Sequence, residues 1–202
     1  MSTIRSICVY CGSQPGASPV YRDAARTLGT QMARAGISLV YGGGAKGIMG
    51  AIADAVMENG GHVTGIIPDF LVGKETAGPS LARLSETIVT KDMHERKHAM
   101  FERSDAFVAL PGGIGTLEEL VEVMTWAQLG RHEKPICLAN IAGFWEPVLA
   151  MLEHMKGEGF IHTAWRLKPL VTSDPAQIVP LIVDAARMVR DPEGEEETIA
   201  NL

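Results

Sequence analysis

A glycine-rich turn lies between a short apolar run and a helical repeat in the segment 105–129. The run Asp105–Leu110 has the length of a β-strand, and apolar residues beyond the turn recur at helical spacing. Gly112, Gly113 and Gly115 let the backbone turn tightly and bring its N–H groups close to an anion, at the positive end of the following helix. The segment therefore predicts a strand, an anion-binding loop and a helix in direct succession.

The rest of the chain repeats this alternation of apolar run and helical pattern. Repeated strand-then-helix units predict an α/β fold, a Rossmann-like doubly wound parallel sheet with helices on both faces. The runs are nearly continuously apolar, as expected for strands covered on both sides. We predict strands near residues 4–11, 37–41, 62–67, 87–90, 106–110, 135–139 and 169–172, and helices near 19–35, 47–59, 93–103, 115–129, 145–157 and 175–189.

The length of 202 residues suits one domain, which we place at residues 1–189. Residues 190–202 have no apolar periodicity, and we predict a disordered acidic tail there. Most of the formal net charge of −6 comes from five side chains of this tail, Asp191, Glu193, Glu195, Glu196 and Glu197. The charge therefore describes the tail and not the domain.

Composition argues against several classes of protein. The chain has no basic stripe and few aromatic residues, so nucleic acid is not an expected partner. No apolar stretch is long enough to cross a bilayer, and the first residues lack the pattern of a secretion signal, which predicts a cytoplasmic protein without a membrane partner. Cys8 and Cys11 have the spacing of a redox pair, but they fall on a predicted strand, where residues three apart point to opposite faces.

Thr116 and Glu119 stand three residues apart, so they also match a capping box, in which both side chains only satisfy backbone donors. A second segment, Met93-x-x-Arg96-Lys97, lies about one helix upstream. Together, this segment and the PGGxGTxxE loop at Pro111–Glu119 resemble the LOG (Lonely Guy) family of cytokinin-activating phosphoribohydrolases, once widely labelled lysine decarboxylases. The resemblance spans roughly residues 4–172 and includes the segments 11–13, 42–50 and 125–130.

The resemblance implies a nucleotide-binding domain that hydrolyses the N-glycosidic bond of a nucleoside 5′-monophosphate, giving an adenine-type base and ribose 5-phosphate, with no cofactor and no metal. Breaking that bond builds positive charge on the ribose, which a carboxylate beneath the sugar stabilises while orienting a water molecule. In the family, the residues matching Arg96 and Glu119 are regarded as the catalytic pair. We expect substrate contacts from Ser13, Gly43, Met93, Arg96, Lys97, Gly112, Gly113, Gly115, Thr116, Glu119 and Thr125.

Another glycine-rich loop, earlier in the chain, follows the strand predicted at 37–41. Gly42, Gly44 and Gly47 also fit the dinucleotide-binding fingerprint, and Asp69 lies at about the distance of a ribose-binding carboxylate. Pro68 ends the strand before Asp69 and distorts that approach. We therefore expect the loop to wall a mononucleotide pocket, while glycines used only for a tight turn and close packing remain an alternative.

Two further patterns suggest other chemistry. His94-Glu95-Arg96-Lys97-His98 fits the HExxH zinc-protease pattern, but no third ligand accompanies it. A pyridoxal phosphate decarboxylase needs a Schiff-base lysine, and no lysine here has the surroundings of one. A non-catalytic protein that binds nucleotide or molybdenum cofactor remains open, as does the choice between AMP and a prenylated adenine nucleotide as substrate.

The predicted helix after the PGGxGTxxE loop is apolar over more than one stripe. One sheet face covers one stripe, so the remainder predicts a two-fold homodimer, which the family resemblance also suggests. The residues expected at the dimer interface are Leu117, Leu120, Val121, Met124, Trp126 and Leu129, together with His98, Met100 and Phe101 on the helix before.

Overall fold

The computed structural model describes residues 4–74, 78–161 and 169–190. Its strands are β1 (Ser6–Tyr10), β2 (Ser38–Tyr41), β3 (Val63–Pro68), β4 (Glu86–Thr90), β5 (Ala106–Ala109), β6 (Ile136–Ala139) and β7 (Leu170–Thr172). Its α-helices are α1 (Pro19–Arg34), α2 (Gly47–Glu58), α3 (Met93–Glu102), α4 (Ile114–Gln128), α5 (Glu146–Gly157) and α6 (Ile178–Arg190). All the predicted strands and helices are confirmed. Of the predicted acidic tail, Arg190 belongs to α6, and residues 191–202 lie outside the described residues.

The strands form one parallel sheet in the order β4-β3-β2-β1-β5-β6-β7. The order runs outward in both directions from the β1–β5 pair, so the connections that leave β1 and β5 diverge to opposite sides. In such a doubly wound sheet, ligands bind in the crevice outside the carboxyl ends of the strands at this switch point. The loop after β1 and the PGGxGTxxE loop after β5 both lie there.

Two apolar clusters cover the two faces of the sheet. One joins the sheet to α1, α2 and α6, and the other joins it to α3, α4 and α5. Cys8 lies in the second cluster and Cys11 in the first, which confirms that they point to opposite faces. Both thiols are free, and this geometry does not support a redox pair. None of the helices within the described residues is both long and apolar enough to cross a membrane.

Candidate active site

A cavity of about 360 Å³ lies at the switch point between β1 and β5. The N–H of Gly12, after β1, donates to the carbonyl oxygen of Pro111, after β5, at 3.1 Å, so the two loops are joined at its floor. The cavity combines backbone of these loops with side chains of α3 and α4. Of the residues predicted to contact substrate, those lining it are Ser13, Met93, Arg96, Gly113, Gly115, Thr116 and Glu119.

Helix α4 begins in the cavity wall without a side-chain cap. Its N-cap is Gly113, so Thr116 is the third helical residue and does not cap it. The Thr116 side chain is buried and packs on Gly112, where a Cβ would overlap its Oγ1. The capping-box alternative for Thr116 and Glu119 is therefore wrong. The N–H groups of the first turn have no hydrogen-bond partner within the helix. They lie at the cavity, where they can donate to an anion.

The capping pair forms at α3 instead. Asp92 is the N-cap and accepts from the N–H of Glu95 at 2.8 Å, while Glu95 accepts from the N–H of Lys91 at 2.8 Å. The hydrogen bond from Glu95 is the main cause of the lowered pKa of the Asp92 carboxyl. Glu95 thus serves the helix start, and His94 and His98 are exposed. The described part of the chain holds no cluster of three His, Cys, Asp or Glu side chains suited to a metal, so the geometry does not favour a zinc site.

Arg96 lies in the cavity wall and is buried, with 6% of the residue exposed. Its Nη2 donates to the carbonyl oxygen of Gly42 at 3.3 Å, and its Nη1 lies 3.6 Å from Sδ of Met93. Its Nε is buried and has no hydrogen-bond partner among the described residues. Gly42 makes this position possible, because a Cβ there would overlap Nη2. A buried guanidinium with an unused donor suits a ligand that brings an acceptor oxygen.

Glu119 is half-buried in the wall of the same cavity, beyond the first turn of α4. The charge of Glu119 raises the pKa of the buried Cys8 thiol, and the charge of Arg96 lowers it. Both charged groups therefore lie near the same thiol. Burial is the main cause of the raised pKa of the Cys8 and Cys11 thiols, and the negative charge of Glu119 is the second. Both thiols stay protonated at neutral pH, which makes them poor nucleophiles.

The remaining predicted contact residues do not line the cavity. Lys97 faces α4, where its Nζ lies 2.6 Å from Glu118 Oε1 and 3.1 Å from Glu122 Oε1. Burial lowers the pKa of Lys97, but its hydrogen bonds to both carboxylates outweigh burial and raise it. Thr125 is exposed on α4 and donates to the carbonyl oxygen of Val121 at 2.7 Å. Gly43 lies behind Gly42 and faces Ile67, and Gly112 lies under Thr116.

The glycine loop at residues 42–47, the first of the two along the chain, is built differently. The N–H groups of Ile48 and Met49, at the start of α2, donate to the carbonyl oxygen of Gly12 at 3.0 and 3.2 Å. Gly47 has φ +60°, and a Cβ there would lie 2.5 Å from the backbone of Ser13. These amides are the ones that a pyrophosphate would need, so the geometry does not favour the dinucleotide interpretation. Gly42 walls the cavity, as expected, while the other glycines serve close packing.

Several lining residues were not predicted from the sequence. They include Tyr10, Met49, Leu71 and Met100, which give the cavity an apolar part, and Glu118, which adds a second carboxylate next to Glu119. Tyr10, Met49 and Met100 occupy ordinary buried positions of a strand or a helix, where a residue of the core and a residue of a cavity wall look alike in sequence. Leu71 follows the Pro68 that ends β3, and no sequence signal marks it.

Comparisons with known proteins agree with this architecture. The family model described as possible lysine decarboxylase matches residues 49–182. A probable cytokinin riboside 5′-monophosphate phosphoribohydrolase of Oryza sativa subsp. japonica, LOGL9, is 50% identical over 165 residues, which cover 82% of this chain and 71% of that protein. The Arabidopsis thaliana enzyme LOG1, a cytokinin riboside 5′-monophosphate phosphoribohydrolase, is 49% identical over 160 residues, covering 79% and 74%.

A solved structure of the Moco carrier protein from Chlamydomonas reinhardtii superposes with a TM-score of 0.66 at 20% identity, covering 90% of this chain and 97% of that one. At that identity the likeness concerns the fold alone. The relatives at about half identity match 82% and 79% of this chain. The chain therefore belongs to the LOG family.

Proposed function

We propose that this protein is a phosphoribohydrolase that cleaves the N-glycosidic bond of cytokinin riboside 5′-monophosphates or AMP. The observation that carries the proposal is one cavity at the switch point that joins an uncapped helix start, a buried guanidinium and a carboxylate. These groups suit a phosphate, the oxygens of a ribose and a developing positive charge, respectively. The relatives named phosphoribohydrolases support the same activity.

The 5′-phosphate binds at the start of α4 in this proposal. Gly113 and Gly115 carry no side chain and are exposed at the cavity, so phosphate oxygens can approach their backbone closely. The helix dipole favours the negative charge at the same place. Thr116, the third helical residue, fixes the loop by packing on Gly112, which places the anion-binding backbone on a rigid support.

Glu119 carries the chemistry of bond cleavage in this proposal. The C1′–N bond breaks as positive charge develops on the ribose, and the carboxylate stabilises that charge and orients a water molecule. The water oxygen bonds to C1′, and a proton from the water ends on the departing base. Helix α4 thus binds the phosphate at its first turn and presents the carboxylate beyond it, so both ends of the sugar phosphate meet one rigid element.

Arg96 supplies the fixed cation. Its contacts with Gly42 and Met93 hold the guanidinium in place, and the buried Nε remains available for an oxygen of the ribose or the phosphate. A pre-positioned donor needs no reorganisation when substrate binds. Arg96 and Glu119 are therefore our proposed catalytic pair, with Ser13, Met93, Gly113, Gly115 and Thr116 in contact with the substrate.

We also propose that the enzyme is a cytoplasmic homodimer built across α4. Ile114, Val121 and Leu129 are 81%, 43% and 68% exposed, while Leu120 and Met124 are buried against the sheet. Helical geometry puts the three exposed residues and Thr125 on one side of α4. A partner that covers this stripe brings Thr125 into an interface beside the cavity. Light scattering of active protein should give twice the chain mass, and a monomer mass would contradict the dimer.

The activity is tested by incubating the purified protein with AMP and, separately, with isopentenyladenosine monophosphate. Chromatography should show free base and ribose 5-phosphate in equal amounts, and the ratio of the two rates identifies the preferred base. Release of nucleoside and inorganic phosphate instead would indicate a phosphatase and contradict the proposal. Tight binding of nucleotide without release of base would favour a carrier.

A further inference from the structure

Arg96 and Lys97 are neighbours on α3, yet only Arg96 lines the cavity. Successive residues of a helix point about 100° apart, so two adjacent side chains face different surroundings. The Lys97 side chain is 12% exposed and contacts Glu118 and Glu122, one turn apart on α4. This lysine therefore joins two helices, whereas the family motif alone places it with the substrate.

The two proposed catalytic residues stand on neighbouring helices that cover one face of the sheet and whose main strand contacts differ. Helix α3, with Arg96, packs against β3 and β4, and α4, with Glu119, packs against β1. Outside the cavity lining, the two helices are joined by an edge-to-face contact of Phe101 with Trp126, whose ring centroids lie 4.8 Å apart. At the cavity, they are joined by Lys97, which follows Arg96, and Glu118, which precedes Glu119 and itself lines the cavity.

We propose that Lys97 is a positioning residue that fixes the separation of Arg96 and Glu119 by clamping α3 to α4, and that it does not contact the substrate. The proposal rests on the function proposed above. The lysine also offsets the negative charges of Glu118 and Glu122 beside Glu119. Without it, one end of the helix pair keeps its aromatic contact while the cavity end is free to spread.

Charge reversal tests the clamp. Lys97→Glu places three carboxylates together, and we expect kcat to fall about 100-fold because a shift of about 1 Å in a reacting group has that effect. The KM for AMP should stay within about 3-fold, since the phosphate site is unchanged. Adding Glu118→Gln and Glu122→Lys to Lys97→Glu leaves one ion pair, between positions 97 and 122, with its two charges exchanged. The triple variant should recover kcat to within about 3-fold of Glu118→Gln alone.

A lysine that touches the substrate gives the opposite pattern. Lys97→Glu would then raise KM strongly, and reversing the partner charge on α4 would not rescue it, which would overturn the proposal. Lys156→Met is the matched control, because Lys156 forms an exposed pair with Glu153 on α5, at 3.4 Å, and should leave kcat unchanged. A wild-type protein that releases no base would overturn the proposed function, and the clamp with it.

A structure of the wild-type protein with ribose 5-phosphate gives a second measurement that does not depend on any variant folding. We expect Lys97 Nζ to keep its contacts with Glu118 and Glu122 and to lie beyond hydrogen-bond distance of the ligand. An Nζ within about 3.2 Å of a ligand oxygen would overturn the proposal.

Discussion

The two glycine-rich loops of this protein look alike in sequence and are used differently. The loop before α2 turns its glycines toward protein, because Gly12 accepts from the first helical amides and Gly47 lies against Ser13. The loop before α4 exposes Gly113 and Gly115, and its helix begins after the N-cap Gly113 without a side-chain cap. Glycine marks a close approach to the backbone, but the approaching group can be protein or ligand.

The largest expected effect concerns Glu119, which stands on the helix that follows the second loop. Glu119→Gln should fold normally and lose at least about 100-fold in turnover, because glutamine keeps the size but cannot stabilise the developing positive charge. Steady-state release of adenine from AMP measures it. Glu153→Gln, an exposed substitution on α5, is the control. Near-normal hydrolysis by the Glu119 variant would remove the carboxylate from the mechanism.

The next effect concerns the contact between Gly42, in the first loop, and Arg96. Gly42→Ala adds a Cβ where Arg96 Nη2 lies, so the guanidinium must move. We expect a fall of about 30-fold in kcat/KM. Gly157→Ala is the matched control, since no atom lies within 4 Å of its Cβ position. Equal activity in the two alanine variants would show that the position of Arg96 is unimportant.

A pair of substitutions separates packing from ligand binding. Gly47→Ala forces a positive φ on alanine and a contact with Ser13, so it should cost about 2 kcal/mol and lower Tm by about 4–8 °C. Gly113→Ala meets no atom within 4 Å, so we expect Tm to change by less than about 2 °C while the KM for AMP rises about 10-fold. Calorimetry and kinetics on both variants measure this difference, and the reverse pattern would exchange the roles of the two loops.

The smallest effects are expected at the two histidines of α3. His94→Ala and His98→Ala should each change turnover by less than about 2-fold, and a chelator should have no effect, because both side chains are exposed and Glu95 serves the helix start. Loss of activity in either variant, with recovery on addition of zinc, would restore the HExxH interpretation.

Much of the fold was predictable from the sequence because strand and helix periodicities depend on neighbouring residues. The order of the strands and the switch point depend on distant pairings, and they had to be observed. The uncapped start of α4 was predictable only as one of two alternatives, since Thr116 and Glu119 satisfy the spacing of a capping box equally well. That Lys97 faces α4 follows from its phase on α3 relative to a helix whose position the sequence does not give.

A nucleotide phosphate is expected to bind at the second glycine loop, before α4, and not at the first, before α2. A crystal structure of the Glu119→Gln variant with AMP tests it most directly. We predict phosphate oxygens within about 3 Å of the first-turn amide nitrogens of α4, with Ile48 and Met49 still bonded to Gly12. A phosphate at the start of α2, with those two amides released from Gly12, would contradict the account.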